Sequence, residues 1–200
     1  MSAARTKAKP ESAGALPPRE RILAAASDLF YRQGIRAVGV EAIAEAAGTN
    51  KMTLYRHFES KDELIAEYIR RLASCSEAIW SELAEQHPDD ARKQLVGWLK
   101  LMGDHINNPK ERGCAIANAA VELPEKHHPA RCEIERHKQG ERGRLVRLCK
   151  DAGASKPEML ADELFLLIEG ARVCAQSMGQ EGPAVRLGRM GEAIIASHMD

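Results

Sequence analysis

The sequence predicts an all-α fold, in which a small N-terminal module of three helices is joined by a long helix to a larger helical domain. Apolar residues recur every three or four positions, as at Ile22, Ala26 and Leu29, and no segment alternates as a strand would. Proline or a capping side chain opens most of these segments. The 200 residues contain no internal repeat and are enough to bury a real core.

The three N-terminal helices are short. Pro18 opens the first helix and Gly34 ends it. The second helix is predicted from Val40 to Ala47 and the third from Lys51 to His57, with Asn50 as the N-cap of the third. Because a turn of only three residues separates them, the second and third helices should form a hinged pair with the third presented outward.

A long fourth helix follows a capping box. In the tetrad Ser60-Lys61-Asp62-Glu63, the Ser60 and Glu63 side chains are placed to satisfy each other's backbone amides. A continuous apolar stripe then runs along the helix through Leu64, Tyr68, Leu72, Cys75, Ile79 and Leu83. About 25 residues would span roughly 38 Å, so this helix should lie in both parts of the molecule.

Five more helices are predicted in the C-terminal part. They run approximately over Asp90–Ile106, Cys114–Leu123, Pro129–Ala152, Pro157–Met178 and Pro183–Ser197. The second of these is apolar on nearly every side, which is typical of a short helix surrounded by protein. The third is strongly charged, and its outer face should contact water. The last two carry broad apolar faces.

Charge is unevenly distributed along a chain whose formal net charge is zero. Residues 1–61 carry 10 basic and 6 acidic side chains, and the rest carries 19 and 23. A positive excess on one small module favours a polyanionic partner. Residues 1–17 lack periodic apolar positions and are expected to be disordered, with basic side chains that either reach phosphates or are simply solvated.

Composition and motifs argue against several function classes. The sequence has no GxSxG, Walker, GxGxxG or HExxH motif, and its five cysteines are scattered without zinc-ligand spacing. We therefore expect no catalytic residues, no metal and no cofactor. No apolar run is long enough for a membrane span, and the N-terminal residues lack a secretory apolar region. A reduced, cytoplasmic protein is the expectation.

The stretch GIRAVGVEAIAEAAGTNKMTLYRHFESKDELI closely resembles the DNA-binding module of the TetR family of bacterial transcriptional repressors. The residues that carry the resemblance are Gly34, Ile43-Ala44, Ala47-Gly48, Thr53-Leu54-Tyr55, His57-Phe58 and Lys61. The resemblance implies a homodimer that binds a palindromic operator in double-stranded DNA and that a small-molecule effector releases. The chain would then divide into a basic arm (1–17), a helix-turn-helix DNA-binding domain (18–62) and an effector-binding and dimerisation domain (63–200). An effector-independent architectural or protein-binding factor of the same fold is the alternative.

The resemblance assigns DNA contacts to the turn and the third helix. The predicted residues are Gly39, Thr49, Asn50, Lys51, Met52, Thr53, Tyr55, Arg56, His57 and Lys61. Family members contact phosphates through the residues that match Thr53, Tyr55, His57 and Lys61, and these side chains are suitable donors. Lys51 can reach guanine acceptors, and Met52 can pack on a thymine methyl group.

Some of these assignments have alternatives. Tyr55 could instead pack against the protein, and Arg56 could be a solvated charge. Gly39 stands where the family usually has Thr or Ser, so a side-chain cap is lost while the backbone amides stay open to a phosphate. Met52 stands where the family often has glycine, so the operator sequence cannot be taken from relatives.

The C-terminal helices should hold the effector and the dimer interface. Candidates for the effector pocket are Trp80, Trp98, Met102, Cys114, Asn118 and Glu122. Core packing is the alternative for Trp98 and Met102, and a backbone partner is the alternative for Asn118. Cys114 is either a redox-responsive thiol or a small buried hydrophobe. The predicted interface consists of Leu164, Leu167, Ile168, Ala171, Ala175, Met178, Val185, Leu187, Gly188, Gly191 and Ile195.

Overall fold

The computed structural model describes residues 16–179 and 182–199, and this part of the chain folds into nine helices without a strand. The helices are α1 (Pro18–Gln33), α2 (Val40–Ala46), α3 (Lys51–His57), α4 (Lys61–Gln86), α5 (Ala91–Asn107), α6 (Ala115–Glu122), α7 (Pro129–Asp151), α8 (Pro157–Met178) and α9 (Pro183–Ser197). The predicted all-α fold class is confirmed. The first fifteen residues of the predicted basic arm lie outside the described residues.

Local interactions fix the ends of the helices near the helix-turn-helix. The Asn50 side chain accepts a hydrogen bond from the Thr53 backbone N–H at 2.9 Å, and Ser60 caps α4 in the same way through the Glu63 N–H at 3.0 Å. The Glu63 carboxylate accepts a hydrogen bond from Arg70 two turns further along α4. Between α2 and α3, Gly48 has a φ of 61°, a conformation that only glycine adopts without strain.

Two hydrophobic clusters form the core of the molecule. The first cluster fills the space between α1, α2, α3 and the beginning of α4, and it also includes Ile116, Ala119 and Leu123 of α6 with Ala130 and Ile134 of α7. The second cluster lies between the end of α4 and helices α5, α7, α8 and α9. Because α4 and α7 each contribute to both clusters, these two helices join the two parts. The loop after α1 also contacts α6, where the Glu122 carboxylate accepts a hydrogen bond from the Arg36 backbone N–H.

The outer face of α7 is exposed at Glu135, Arg136, Arg142 and Arg147, in agreement with the prediction, but the helix also carries titratable side chains on an inner face. His137, Lys138 and Glu141 have side chains only 7%, 20% and 20% exposed. Glu141 accepts a hydrogen bond from Ser76 of α4, and Lys138 forms an ion pair with Glu169 of α8. Helix α7 is therefore packed on both sides, and its inward charges satisfy one another.

The structure also corrects part of the predicted dimer interface. Five of the eleven residues are buried in the protomer's own core, namely Leu164, Ile168, Leu187, Gly191 and Ile195. At Gly191 a Cβ atom would lie 2.3 Å from Leu99 of α5, so glycine allows α9 to pack closely on α5. The large exposed apolar side chains of α8 and α9 are Met159, Leu166, Val173, Met178, Val185 and Met190, of which Met178 and Val185 belong to the predicted interface.

Candidate nucleic-acid interface and ligand cavity

Helix α3 has one side buried in the protein and the opposite side exposed to solvent. Leu54 is fully buried and Phe58, at its C-terminal cap, is 2% exposed, so these two side chains fasten the helix to the first cluster. On the opposite side Met52 is 74% exposed and Tyr55 is 43% exposed. An apolar and an aromatic side chain with no core to cover them are suited to the edges and backbone of a nucleic acid.

An ion pair ties α3 to α2 across the turn. The Lys51 ammonium donates to Glu41 Oε1 at 2.6 Å and lies 6.0 Å from the centre of the Tyr55 ring. The hydrogen bond and charge of Glu41 raise the pKa of Lys51, and those of Lys51 lower the pKa of Glu41. Both side chains are more than half exposed. The cation therefore stands at the outer surface of the helix pair, where a phosphate or base can compete for it.

The ten predicted DNA contacts fall into two groups by exposure. Seven of the ten are exposed, namely Gly39, Asn50, Lys51, Met52, Tyr55, Arg56 and His57, and Thr49, Thr53 and Lys61 are half-buried. Gly39 precedes α2 with a φ of −86° and no side-chain cap, so the first backbone amides of α2 face outward from the helix end. The Asn50 oxygen is occupied as the α3 cap.

Lys61 differs from its predicted role as a phosphate contact. Its ammonium donates to the Ile35 carbonyl oxygen at 2.7 Å and lies 6.0 Å from the centre of the Phe30 ring. Burial lowers the pKa of Lys61. In this conformation the side chain fastens the beginning of α4 to the loop after α1, so its charge is directed into the module.

A cavity of about 220 Å³ lies within the C-terminal part, enclosed by α4, α5, α7, α8 and the loop before α6. Trp80 and Trp98 stack on each other with ring centres 5.3 Å apart and form one wall. Met102 and Cys114 also line the cavity, so the structure brings together four of the six residues predicted for an effector pocket. At Cys114 the sulfur accepts from the Ala117 N–H at 3.5 Å.

The other two predicted pocket residues lie on the side of α6 that faces α1. The Asn118 amide donates to the Arg112 carbonyl oxygen at 2.8 Å, which is the backbone partner that the sequence left as the alternative. Glu122 accepts a hydrogen bond from the Arg36 backbone N–H at 3.0 Å. Both residues line a separate depression beside α1 and not the cavity that the tryptophans line.

The cavity has a charged wall that sequence reasoning missed. Arg172, Glu141, His137 and Glu111 line it together with the apolar residues. Burial opposes ionisation of Glu141, but hydrogen bonds and charges from His137, Lys138 and Ser76 outweigh it and lower the pKa of Glu141 to about 2. The signal that could have found this wall is Arg172, a basic residue inside the otherwise apolar stretch of α8.

The loop before α6 connects this cavity to the DNA-binding module. Glu111 lines the cavity, and its carboxylate accepts a hydrogen bond from the Tyr31 hydroxyl of α1 at 2.6 Å. The same hydroxyl accepts from the Arg112 backbone N–H. Burial and the hydrogen bond to Glu111 raise the pKa of Tyr31 to about 12. These hydrogen bonds join the loop at the cavity directly to α1.

The fold and the exposed α3 define a helix-turn-helix protein. The family description "Bacterial regulatory proteins, tetR family" matches residues 22–68, from within α1 to within α4. The match places the helix-turn-helix module of the chain in the tetR family of bacterial regulatory proteins. Within the described residues, no helix is long and apolar enough to cross a membrane.

Similar proteins match the chain to different extents. The transcriptional activator FasR of Mycolicibacterium smegmatis is 43% identical over 53 residues, which are 26% of this chain and 24% of FasR. The transcriptional repressor KstR2 of Mycobacterium tuberculosis is 30% identical over 110 residues, 55% of this chain and 46% of KstR2. The regulator YjdC of Escherichia coli is 22% identical over 76% of this chain and 80% of its own length. The chain thus aligns with less than half of FasR and of KstR2.

Solved structures match nearly the whole fold. SCO4454, a TetR-family transcriptional regulator of Streptomyces coelicolor, superposes with a TM-score of 0.86 and 27% identity, covering 92% of this chain and 96% of SCO4454. The transcriptional regulator sav143 of Streptomyces avermitilis gives a TM-score of 0.80 and 28% identity over 92% of this chain and 98% of its own. The similarity in fold therefore extends well beyond the helix-turn-helix to the helices that enclose the cavity.

Proposed function

We propose that this protein is a homodimeric transcriptional repressor that binds a palindromic operator and leaves it when a small molecule occupies the cavity. The observation that carries the proposal is α3, a helix anchored by Leu54 and Phe58 that presents Met52, Tyr55 and Lys51 outward. The helix is too short to be a core element. Its orientation suits insertion into a major groove, with Lys51 and Met52 at the base edges.

Dimerisation is supported by the outer faces of α8 and α9. Leu166, Val173, Met178 and Val185 are each more than 60% exposed, an unusual density of large apolar side chains on neighbouring helices. A two-fold dimer would use this patch on both chains. It would place two copies of α3 about 34–36 Å apart, or a multiple of that distance, on the DNA. A single mass at twice the 22.0 kDa chain by light scattering would support the dimer, and a monomer at micromolar concentration would refute it.

The experiment that tests DNA recognition starts from selection of bound sequences out of a random duplex pool. We expect a pseudo-palindromic site. Replacing Lys51 with alanine should relax discrimination at one base position of each half-site by about 10- to 100-fold. The matched control is Lys100→Ala, which removes an exposed lysine from α5 and should leave the selected sequence unchanged. A Lys51→Ala variant with the parent's base preferences would show that α3 is not the reading helix.

Two connections could carry the effector signal. Helix α4 runs from the capping residue Ser60 to the cavity wall at Trp80, and the Tyr31 to Glu111 hydrogen bond joins α1 to the loop at the cavity. A ligand releases DNA only if it binds more tightly to a dimer conformation whose two α3 helices are wrongly spaced for DNA than to the DNA-binding conformation. A hundredfold preference for the first conformation would supply about 2.7 kcal/mol. By reciprocity, operator DNA must weaken effector binding by the same factor. An effector that binds with the same affinity in the presence and absence of saturating operator DNA would refute this mechanism.

The alternative is an effector-independent factor of the same fold. The open cavity with two stacked tryptophans supports the ligand-responsive regulator, because a protein without an effector would be expected to fill this space with side chains. The relatives named above include an activator and a repressor. Measuring transcription from the selected operator with and without the protein decides the sign of regulation.

A further inference from the structure

We propose that the ligand of this cavity is a compact aromatic carboxylate whose anionic group binds Arg172 and whose ring lies against Trp80 and Trp98. This inference rests on the effector-binding role proposed above and specifies the chemistry of the same site. It is carried by the hydrogen-bond partners of the charged wall, where one strong donor group has a strong acceptor for one of its terminal nitrogens and a weak acceptor for the other.

That donor is the guanidinium of Arg172. Its side chain is 21% exposed and lines the cavity. One terminal nitrogen donates to Glu169 Oε1 at 2.7 Å, but the other is directed to the thioether sulfur of Met102 at 3.2 Å. A thioether is a weak acceptor, and a guanidinium carries five N–H donors. Among the described residues, Glu169 and Met102 are the hydrogen-bond partners of this group, so a ligand oxygen would replace the poorer of the two.

The carboxylates around the cavity, in contrast, already have good donors. Glu141 accepts from the Ser76 hydroxyl at 2.9 Å, and its second oxygen lies 3.3 Å from His137 Nε2. Glu111 accepts from the Tyr31 hydroxyl at 2.6 Å. A cationic ligand would have to take these acceptors away from protein donors. An anionic ligand gains a guanidinium that the protein has left incompletely satisfied.

The neighbouring charges do not exclude an anion. Glu169 is shared by Arg172 and by Lys138, whose ammonium lies 2.9 Å from it, so this carboxylate is divided between two cations. Lys138 is also 4.0 Å from Glu141. These two cations and two carboxylates sum to zero formal charge before a ligand binds, and the Glu111 carboxylate, which also lines the cavity, adds one negative charge that accepts a hydrogen bond from the Tyr31 hydroxyl. A carboxylate on the free side of Arg172 would then form a short, charge-assisted pair with the planar geometry that guanidinium favours.

The opposite wall selects the rest of the ligand. Trp80, Trp98, Met102 and Ile106 are each at most 7% exposed and line the cavity. The tryptophan rings stack on each other with an interplanar angle of 22° and both line the cavity, so this wall is aromatic. The cavity volume of about 220 Å³ is smaller than the roughly 300–1,000 Å³ of drug-sized sites. One aromatic ring with a short alkyl group therefore fits better than a larger body.

The test compares three probes of similar shape: 4-tert-butylbenzoate, 4-tert-butylbenzamide and 4-tert-butylbenzylammonium. Both tryptophans of the chain line the cavity, so intrinsic fluorescence excited at the red edge reports binding without a label. The carboxylate should bind at least about tenfold more tightly than the amide, and the ammonium more weakly than either. Free tryptophan in the same probe solutions controls for quenching in bulk solvent.

Two variants locate the anion site. Arg172→Gln should bring the ratio of carboxylate to amide affinity close to one, with the amide affinity changed by less than about threefold. Arg172→Lys should keep part of the preference, because it retains the charge without the bidentate geometry. Glu169→Gln should strengthen carboxylate binding, since it removes the competing anion. If circular dichroism shows that Arg172→Gln does not fold, the affinities of Arg172→Lys and Glu169→Gln for the carboxylate and the amide decide whether Arg172 is the anion site.

The proposal is overturned by equal affinity for the three probes, by a preference for the ammonium, or by a carboxylate preference that survives Arg172→Gln. Absence of binding by all three probes at millimolar concentration overturns it as well. These outcomes do not bear on the operator experiment, which uses the protein and DNA alone. Failure of the ligand chemistry and failure of DNA recognition are therefore distinguishable.

Discussion

The two functional ends of the molecule hold their charges in opposite ways. At α3, the Lys51 and Glu41 side chains form an ion pair while they are 53% and 68% exposed. At the cavity, Glu141 and Lys138 are each 20% exposed and have protein partners on several sides. Exposed pairs are weak because water and salt screen them. Buried groups are costly to leave without partners.

This difference corresponds to different tasks. A cation that must exchange a protein carboxylate for a DNA phosphate should be held loosely, and the surface pair at α3 meets that condition. A binding cavity must keep its shape while it is empty, and the interlocked charges between α4, α7 and α8 provide that rigidity. The following variants test this contrast, in order of decreasing effect.

The largest effect is expected beneath α3. Leu54→Ala should lower the free energy of unfolding by about 3–4 kcal/mol, because it opens a cavity under a fully buried side chain. The control on the same helix is Met52→Ala, where a 74% exposed side chain should change stability by less than about 0.5 kcal/mol. Urea unfolding measures both. Similar losses in the two variants would mean that α3 is not anchored as described.

The next effect concerns the buried charges and depends on pH. The pKa of Glu141 is lowered from 4.5 to about 2, so its ionised form stabilises the fold above pH 4.5 and this contribution is lost as pH falls towards 2. Glu141→Gln should therefore cost about 3 kcal/mol at pH 7. The difference from the parent should shrink below pH 4.5.

Glu85→Gln is the matched control on exposed surface of α4 and should match the parent at each pH. Urea titrations of the three proteins at several pH values give the comparison. A Glu141→Gln penalty that stays constant down to pH 2 would show that packing, and not charge, is the cause.

A smaller effect is expected at Lys61. Lys61→Met keeps the alkyl chain but removes the donor to the Ile35 carbonyl, which should cost about 1 kcal/mol of stability. The salt dependence of operator affinity should stay unchanged, since this ammonium is directed into the protein. Arg56→Met removes an exposed cation of α3 and should reduce the slope of log operator affinity against log salt concentration by about one unit. A reduction of that size in Lys61→Met would support the phosphate contact that the sequence predicts for Lys61.

The smallest effect is expected from the surface pair itself. Glu41→Gln frees Lys51 and removes a negative charge that faces the same DNA, so operator affinity should rise about two- to fivefold at low salt. The gain should disappear above about 0.5 M salt, where charges are screened within a few ångströms. Fluorescence anisotropy with a labelled duplex measures it. Weaker binding by Glu41→Gln would mean that the pair positions Lys51 and does not compete with DNA.

Most of the fold was predictable because helix ends depend on local chemistry. Asn50 and Ser60 cap the helices that the sequence assigned to them, and proline stands at the first position of α7, α8 and α9 as expected. These signals involve residues within one turn of one another. They require no knowledge of tertiary packing.

The candidate sites were less predictable because they depend on which face of a helix is covered. Periodicity marks apolar residues on α8 and α9 but does not tell Leu164, which is in the core, from Val173, which is exposed. Lys61 matches the family pattern, yet its charge is directed inward. Arg172 acquires its environment from α5 and α7, and nothing near it in the sequence indicates those neighbours.

The share of α6 in the N-terminal hydrophobic cluster limits where the chain can be divided. A hybrid regulator could be made by cutting the chain after the DNA-binding segment and fusing a new sensor. Here Ile116, Ala119 and Leu123 belong to the same hydrophobic cluster as α1 and α3, although they lie about fifty residues beyond that cut. A chimera joined at residue 62 would lose part of its own interior unless the donor supplied matching side chains. The transferable unit is therefore the N-terminal helices together with α6, and a successful graft must exchange two separate stretches of chain.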